Sequence, residues 1–171
     1  TSLLAFAFIF INLRLAVRAT PVMDIFESFE SQDPLSRFRE FFNERLLKYR
    51  LWGAIGLSIF LGAGASQLWE QVLLFINQKS FGVTDPIFQN DVSSYVFGLP
   101  LYRLFVSWGF QLVIFTSFII VLFFIATGAL QLRQGRLPEV SSGAKAHLSV
   151  LLAFVALLKA FAYRLDSMEL L

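Results

Sequence analysis

Lys159 lies among Ala153, Phe154, Leu157, Leu158 and Phe161, and no other residue in the chain is so far out of keeping with its neighbours. An ammonium in such company must pair with an anion or stretch its stem toward water. Tyr163 follows one turn later and Asp166 two turns later. An ion pair to Asp166, or to Asp91 or Asp85 in a preceding loop, is therefore expected. Were Lys159 to line a path instead, the same group would suit proton or coupling-ion movement.

The other candidates carry less chemistry. Asp85, Asn90 and Asp91 offer oxygens to a hard cation, but their spacing matches no EF-hand loop and no metal site is expected. Asp85 before Pro86 favours a turn, and Asp91 can cap a short helix starting at Val92. Tyr95, with Phe81, Phe88 and Phe97, would place rings at a membrane interface. His147 is the single histidine, and Ser141 and Ser142 can cap the helix it begins. It reads as a satisfied interfacial residue, with axial ligation of a haem or chlorophyll as the alternative. The chain has no cysteine, which removes thiolate nucleophiles, disulfides and cysteine metal sites. No catalytic residue or cofactor is assigned, and the chain is read as not being an enzyme.

These residues must be positioned by apolar helices. Leu104 to Leu132 is a run of 29 residues without Asp, Glu, Lys, Arg or His, longer than the roughly 20 needed to cross a hydrocarbon core. Hydrophobic residues make up 57% of the 171-residue chain, far above a soluble domain. The expected fold is all-α: one polytopic transmembrane bundle over 1–171 with spans at about 1–18, 50–76, 101–131 and 146–164. Loops 19–49 and 132–145 are expected to face the cytoplasm, and loop 77–100 the opposite side. That orientation follows from Arg18, Arg37, Arg39, Arg45, Lys48, Arg50, Arg133, Arg136 and Lys145 in the first and third loops, against Lys79 and Arg103 in the second. Both chain ends are then extracytoplasmic. Because the chain opens at Thr1 inside an apolar run, it reads as a fragment of a longer protein.

Two further patterns concern packing. From Asp33 and Pro34, the residues Leu35, Phe38, Phe42, Leu46 and Tyr49 recur at helical spacing, which predicts an amphipathic helix lying in the cytoplasmic interface. Ala54, Ser58, Gly62 and Ser66 form a four-residue stripe of small side chains, which predicts a close helix crossing. The net charge of +2 gives no reason to expect nucleic acid, and the expected partners are the lipid bilayer and other transmembrane helices.

Three stretches carry a resemblance: Phe81-Gly82-Val83-x-Asp85-Pro86-x-Phe88-x-x-Asp91, Tyr95-x-Phe97-x-Leu99-Pro100-x-Tyr102-Arg103, and Leu157-Leu158-Lys159-Ala160-x-x-Tyr163-x-Leu165-Asp166-x-x-Glu169-Leu170-Leu171. Through them the whole chain resembles uncharacterised protein family 0182, large bacterial membrane proteins with about seven N-terminal spans and a long extracytoplasmic C-terminal region. Gln89 stands where that family usually has Gly, Asn90 where it often has a basic residue, Ser94 in place of an aromatic, and Ser167-Met168 in place of Arg-Tyr. The resemblance implies a bacterial cell-membrane location and an architecture rather than a mechanism. A non-enzymatic scaffold or assembly subunit anchoring an extracytoplasmic domain is the leading expectation. A transporter or lipid-handling channel component is the first alternative, and an accessory subunit of a bioenergetic or photosynthetic complex the second.

Overall fold

In the computed structural model, residues 1–20, 52–63, 68–131 and 139–169 are described. The helices are α1 (Ser2–Ala19), α2 (Trp52–Ala63), α3 (Leu68–Ile76), α4 (Leu99–Ala126) and α5 (Ser142–Glu169). Three of the described helical stretches are long and apolar enough to cross a membrane: Ser2–Ala19, Ser94–Ala126 and Ser142–Glu169. A fourth is reached if α2 and α3, whose axes differ by 55°, count as one broken span. The expected amphipathic helix from Asp33, along with Ser66 of the small-residue stripe, lies outside the described residues.

α4 is the central helix. It packs against α1, α3 and α5, and 39% of its apolar window is buried within the chain, against 11% for α5. Ile120 and Phe124 are fully buried there, with Leu112, Val113 and Phe123 nearly so. α1 adds one face, Ala5, Ile9, Asn12, Leu13 and Ala16, at the three- and four-residue spacing that lines up side chains on a helix. Elsewhere large apolar side chains point outward: Leu3, Ile11, Ile59, Phe118, Leu152 and Leu157 are all more than half exposed.

The ends of α4 have local causes. Helical backbone begins well before Leu99, because Ser93 N–H is held by the Asp91 carboxylate at 2.8 Å and Ser94–Gly98 form a π-turn closed by Leu99 N–H on the Ser94 carbonyl. Pro100 has no N–H for the carbonyl four residues back, and its ring would collide there. The wider turn relieves this. The short helix expected after Asp91 is thus continuous with α4. At the far end Thr127 N–H bonds Phe123 O and Gly128, at φ +74°, turns the chain out of the helix. The third span therefore ends at Ala126 rather than near 131. Leu130–Gln131 then pair antiparallel with Glu139–Val140, a two-stranded ladder that the all-α reading did not include. Ser141 Oγ accepts from Ala144 N–H at 3.2 Å and caps α5, which begins at Ser142 and runs to Glu169, beyond the expected 146–164.

Two glycines mark where helices meet. A Cβ on Gly62 would lie 2.7 Å from Ser2 Cβ and 2.9 Å from Ser2 Cα, so α2 and α1 cross backbone to backbone there. Ala54 and Ser58, on the same stripe, are buried at 1% and 4% exposure. A Cβ on Gly143 would meet Ala19 backbone atoms at 3.0 and 3.1 Å, which brings the start of α5 against the end of α1. Trp108 Nε1–H donates to Leu61 O at 3.2 Å and ties α4 to α2 near the first crossing. Gly62→Leu should therefore separate α1 from α2 and destabilise the protein by about 1 to 3 kcal/mol, the usual range for overpacking. Ile59→Leu, on an exposed face, should leave the thermal midpoint unchanged. Equal midpoints for the two variants in detergent would remove the crossing.

Candidate functional site

Polar side chains concentrate at one end of the bundle, where residues 77–93 join α3 to the helix that becomes α4. The loop is folded by its backbone. Thr84 and Asp91 face each other across an antiparallel bridge, with Val92 N–H on Val83 O and Asp85 N–H on Asn90 O, both at 2.9 Å. Between them Pro86–Phe88 make a turn, and Gln89 closes it at φ +54° with its N–H on Asp85 O.

Two carboxylates organise this loop. Asp85 accepts from Ile87 N–H at 3.1 Å, Phe88 N–H at 2.6 Å and the Tyr95 hydroxyl at 3.1 Å. Asp91 accepts on one oxygen from Phe81 N–H and Ser93 N–H, and on the other from Gly82 N–H and the Ser80 hydroxyl. The roughly four lone-pair directions of a carboxylate are thereby all used, leaving Asp91 nothing to offer a cation. Desolvation on its own would raise the Asp85 carboxyl. The Phe88 and Ile87 amides and the Tyr95 hydroxyl outweigh it and hold the group below the usual carboxylate range. Asp91 is held lower still, chiefly by the Ser80 hydroxyl and then by Ser93.

Helical residues clasp the loop. Arg164, on α5, lies over the Phe88 ring at 5.3 Å, and Phe81 packs edgewise on Phe97 at 5.9 Å. Arg103, in the first turns of α4, reaches Asp166 at 2.7 Å and Glu169 through two nitrogens, one of them at 2.7 Å. Asp166 and Glu169 are three residues apart and so share a face of α5. This fork on two carboxylates fixes the end of α5 against the start of α4. Lys159 accordingly does not take Asp166 as expected. Arg103 holds that carboxylate, and the Lys159 ammonium sits over the Tyr163 ring at 4.8 Å. Among the described residues it makes no ion pair.

A model of one protein family, the Uncharacterised protein family (UPF0182), matches residues 1–171. The chain belongs to UPF0182. A UPF0182 protein of Mycobacterium avium (strain 104) is 34% identical over 169 residues, 99% of this chain and 17% of that protein. A relative from Rhodococcus opacus (strain B4) is 36% identical over 95% of this chain and 16% of its own length. One from Saccharopolyspora erythraea is 37% identical over 94% of this chain and 16% of its own. The chain thus spans about one sixth of the length of the curated relatives it matches. No solved structure matches it.

Gln89, at φ +54°, sits in the left-handed region, which glycine enters freely and a residue with a Cβ does not. Asp85 and Tyr95 come together as one hydrogen-bonded unit, and Asp91 organises the neighbouring turn. Lys159 with Tyr163 lies apart from both, on the side of α5. Ala54, Ser58 and Gly62 belong to the helix crossing.

Sequence reasoning missed Arg103 as the partner of Asp166, although the Asp166-x-x-Glu169 spacing on one helix face was a usable signal. It also missed Asn12. At the opposite end of the bundle the Asn12 amide donates to Phe8 O at 2.8 Å, which turns its oxygen toward His147 Nε2 at 3.1 Å. His147 must then donate from Nε2. Its Nδ1 is buried without a partner among the described residues, and its ring packs edgewise on Phe124 at 5.8 Å.

Two outcomes test the loop. The left-handed cost of about 1 to 2 kcal/mol exceeds glycine's added unfolded-state freedom of about 0.5 to 1 kcal/mol. Gln89→Gly should therefore stabilise the protein by about 0.5 to 1 kcal/mol, and Gln89→Val should destabilise it, as read by thermal melting. Asp91, with its folded pKa depressed, stabilises the loop above the unfolded value of about 3.9, and that contribution disappears as pH falls through the lower folded value. A side-chain carboxyl ¹³C titration should place the Asp91 midpoint well below that of an exposed aspartate. A midpoint at or above about 3.9 would contradict the cap.

Proposed function

We propose that this chain is a non-enzymatic scaffold segment of the bacterial cell membrane, whose helices anchor an extracytoplasmic part of the larger UPF0182 protein. The observation that carries this reading is the commitment of polar groups at the looped end to one another. Asp91 is saturated, Asp85 is held by three donors, and Arg103 is spent on Asp166 and Glu169. Such a cluster rigidifies and leaves little free to bind or transform a substrate. A conduit would instead need Lys159 and the small-residue face to line a path, whereas Lys159 is on an outer side of α5 and Gly62 is covered by Ser2.

Charge supports an orientation. From Arg18 to the start of α2 and between α4 and α5 the sequence carries Arg18, Arg37, Arg39, Arg45, Lys48, Arg50, Arg133, Arg136 and Lys145, whereas the looped end carries Lys79, Arg103 and Arg164. By the bias of basic residues toward the cytoplasm, residues 77–93 face outward, and Thr1 and Glu169, the outer ends of α1 and α5, are assigned to that same side.

The absence of cysteine in the chain makes the orientation measurable. A cysteine at Gln78, which is exposed, should react with an impermeant maleimide in intact cells, and one at Ser142 only after the cytoplasmic side is opened. Labelling of Ser142→Cys in intact cells would reverse the assignment. The scaffold role is tested by protease added outside spheroplasts. Arg103→Met should speed cleavage within 77–93, Arg14→Met at the opposite end should not, and equal rates would remove the clasp as a structural tie.

A further inference from the structure

Lys159 and Tyr163 form a pair of donors with no acceptor among the described residues. The ammonium lies over the ring at 4.8 Å, both side chains are exposed, Tyr163 at 62%, and neither makes a hydrogen bond or ion pair among the described residues. The carboxylates of the same helix end are already taken by Arg103. On the same face of α5, one and two turns further into the apolar stretch, Ala156 is exposed and Leu152 is exposed at 69%. An unpaired cation and a hydroxyl set in an apolar outward face match a ligand with an anionic head and hydrocarbon tails.

Depth agrees. Lys159 precedes Asp166 by seven residues, about 10 Å along a helix, and a lysine stem recovers roughly 6 Å of that by extending toward the end of the helix. With its stem so extended, the ammonium would come within a few Å of the level of the Arg103 clasp, within reach of the ester and phosphate groups of a surrounding leaflet. A compact, strongly hydrated ammonium suits a phosphate as a point charge, and the Tyr163 hydroxyl can donate to a second phosphate oxygen.

We propose that Lys159 and Tyr163 form a binding site for the phosphate of a phospholipid whose acyl chains lie along Ala156 and Leu152. The assignment rests on the membrane-embedded reading above. Its test is separate from the cysteine labelling, because orientation can hold while the lipid site fails.

The test uses the full-length protein in detergent, titrated with phosphatidylglycerol and read by native mass spectrometry. Lys159→Gln should weaken retention of one phosphatidylglycerol roughly tenfold, about 1.4 kcal/mol, and Tyr163→Phe should weaken it less. Lys159→Arg should keep it, as should Lys79→Gln in the loop. Diacylglycerol, which lacks the phosphate, should show no dependence on Lys159. Millimolar inorganic phosphate should not displace the lipid. Displacement would make this a free-anion site and overturn the lipid assignment. Lys159→Met should melt like the parent protein. A lowered midpoint with unchanged lipid retention would mean that Lys159 pairs with a carboxylate of another helix, and the proposal would fail.

Discussion

A polar group among apolar side chains has to find its partner inside the chain, because hydrocarbon supplies neither donors nor acceptors and an unmatched group costs several kcal/mol. Most of the structure follows from meeting that demand. Thr116 returns its hydroxyl to Leu112 O at 2.7 Å and Ser58 to Ile55 O at 2.8 Å, so both are buried at little cost on their own helices. Trp108 spends its indole N–H on the next helix. At the looped end residues 77–91 leave helical geometry, and there Asp85 and Asp91 take up amides that a helix would have satisfied.

Close approach is the second constraint. Without a strong solvent-driven term between apolar helices, association depends on backbones coming near enough for dispersion and weak polar contacts to act. Gly62 against Ser2 and Gly143 against Ala19 supply such approaches at opposite ends of α1. Between them the buried face of α1 is small or slender, Ala5, Ile9, Leu13 and Ala16, and it lets the bulk of Ile120 and Phe124 from α4 fill the centre.

The apolar segments were legible in the sequence because a charge-free run of helix length is costly to leave in water, and the stripe at Ala54, Ser58 and Gly62 was legible because small residues at four-residue spacing share a face. Element ends were less so. The third segment stops at Ala126 because Thr127 and Gly128 turn the chain, a signal hidden by the apolar residues that follow. The broken pair α2 and α3 reads as one continuous run by hydropathy, which does not see a change of axis. Partner choice was the hardest to read. Nearness along the chain matches Asp166 to Lys159, whereas Arg103, 63 positions away, has the fork that two carboxylates on one helix face require. Asn12, a lone amide in an apolar run, gave no sign that it faces a residue 135 positions on.

The bond between Asn12 and His147 bears on how α1 and α5 choose their alignment. Apolar contact is non-directional, and two smooth hydrocarbon surfaces can slide past each other by a residue, about 1.5 Å of rise, and lose little. A bond of 3.1 Å tolerates no such slip. The Phe8 carbonyl fixes which way the amide faces, the amide fixes which imidazole nitrogen carries the proton, and the ring then admits one axial position of α5. That polar contact thus works as a detent beside the close approach of Gly143 to Ala19, and together they set the height at which the clasp at the far end of α5 meets α4.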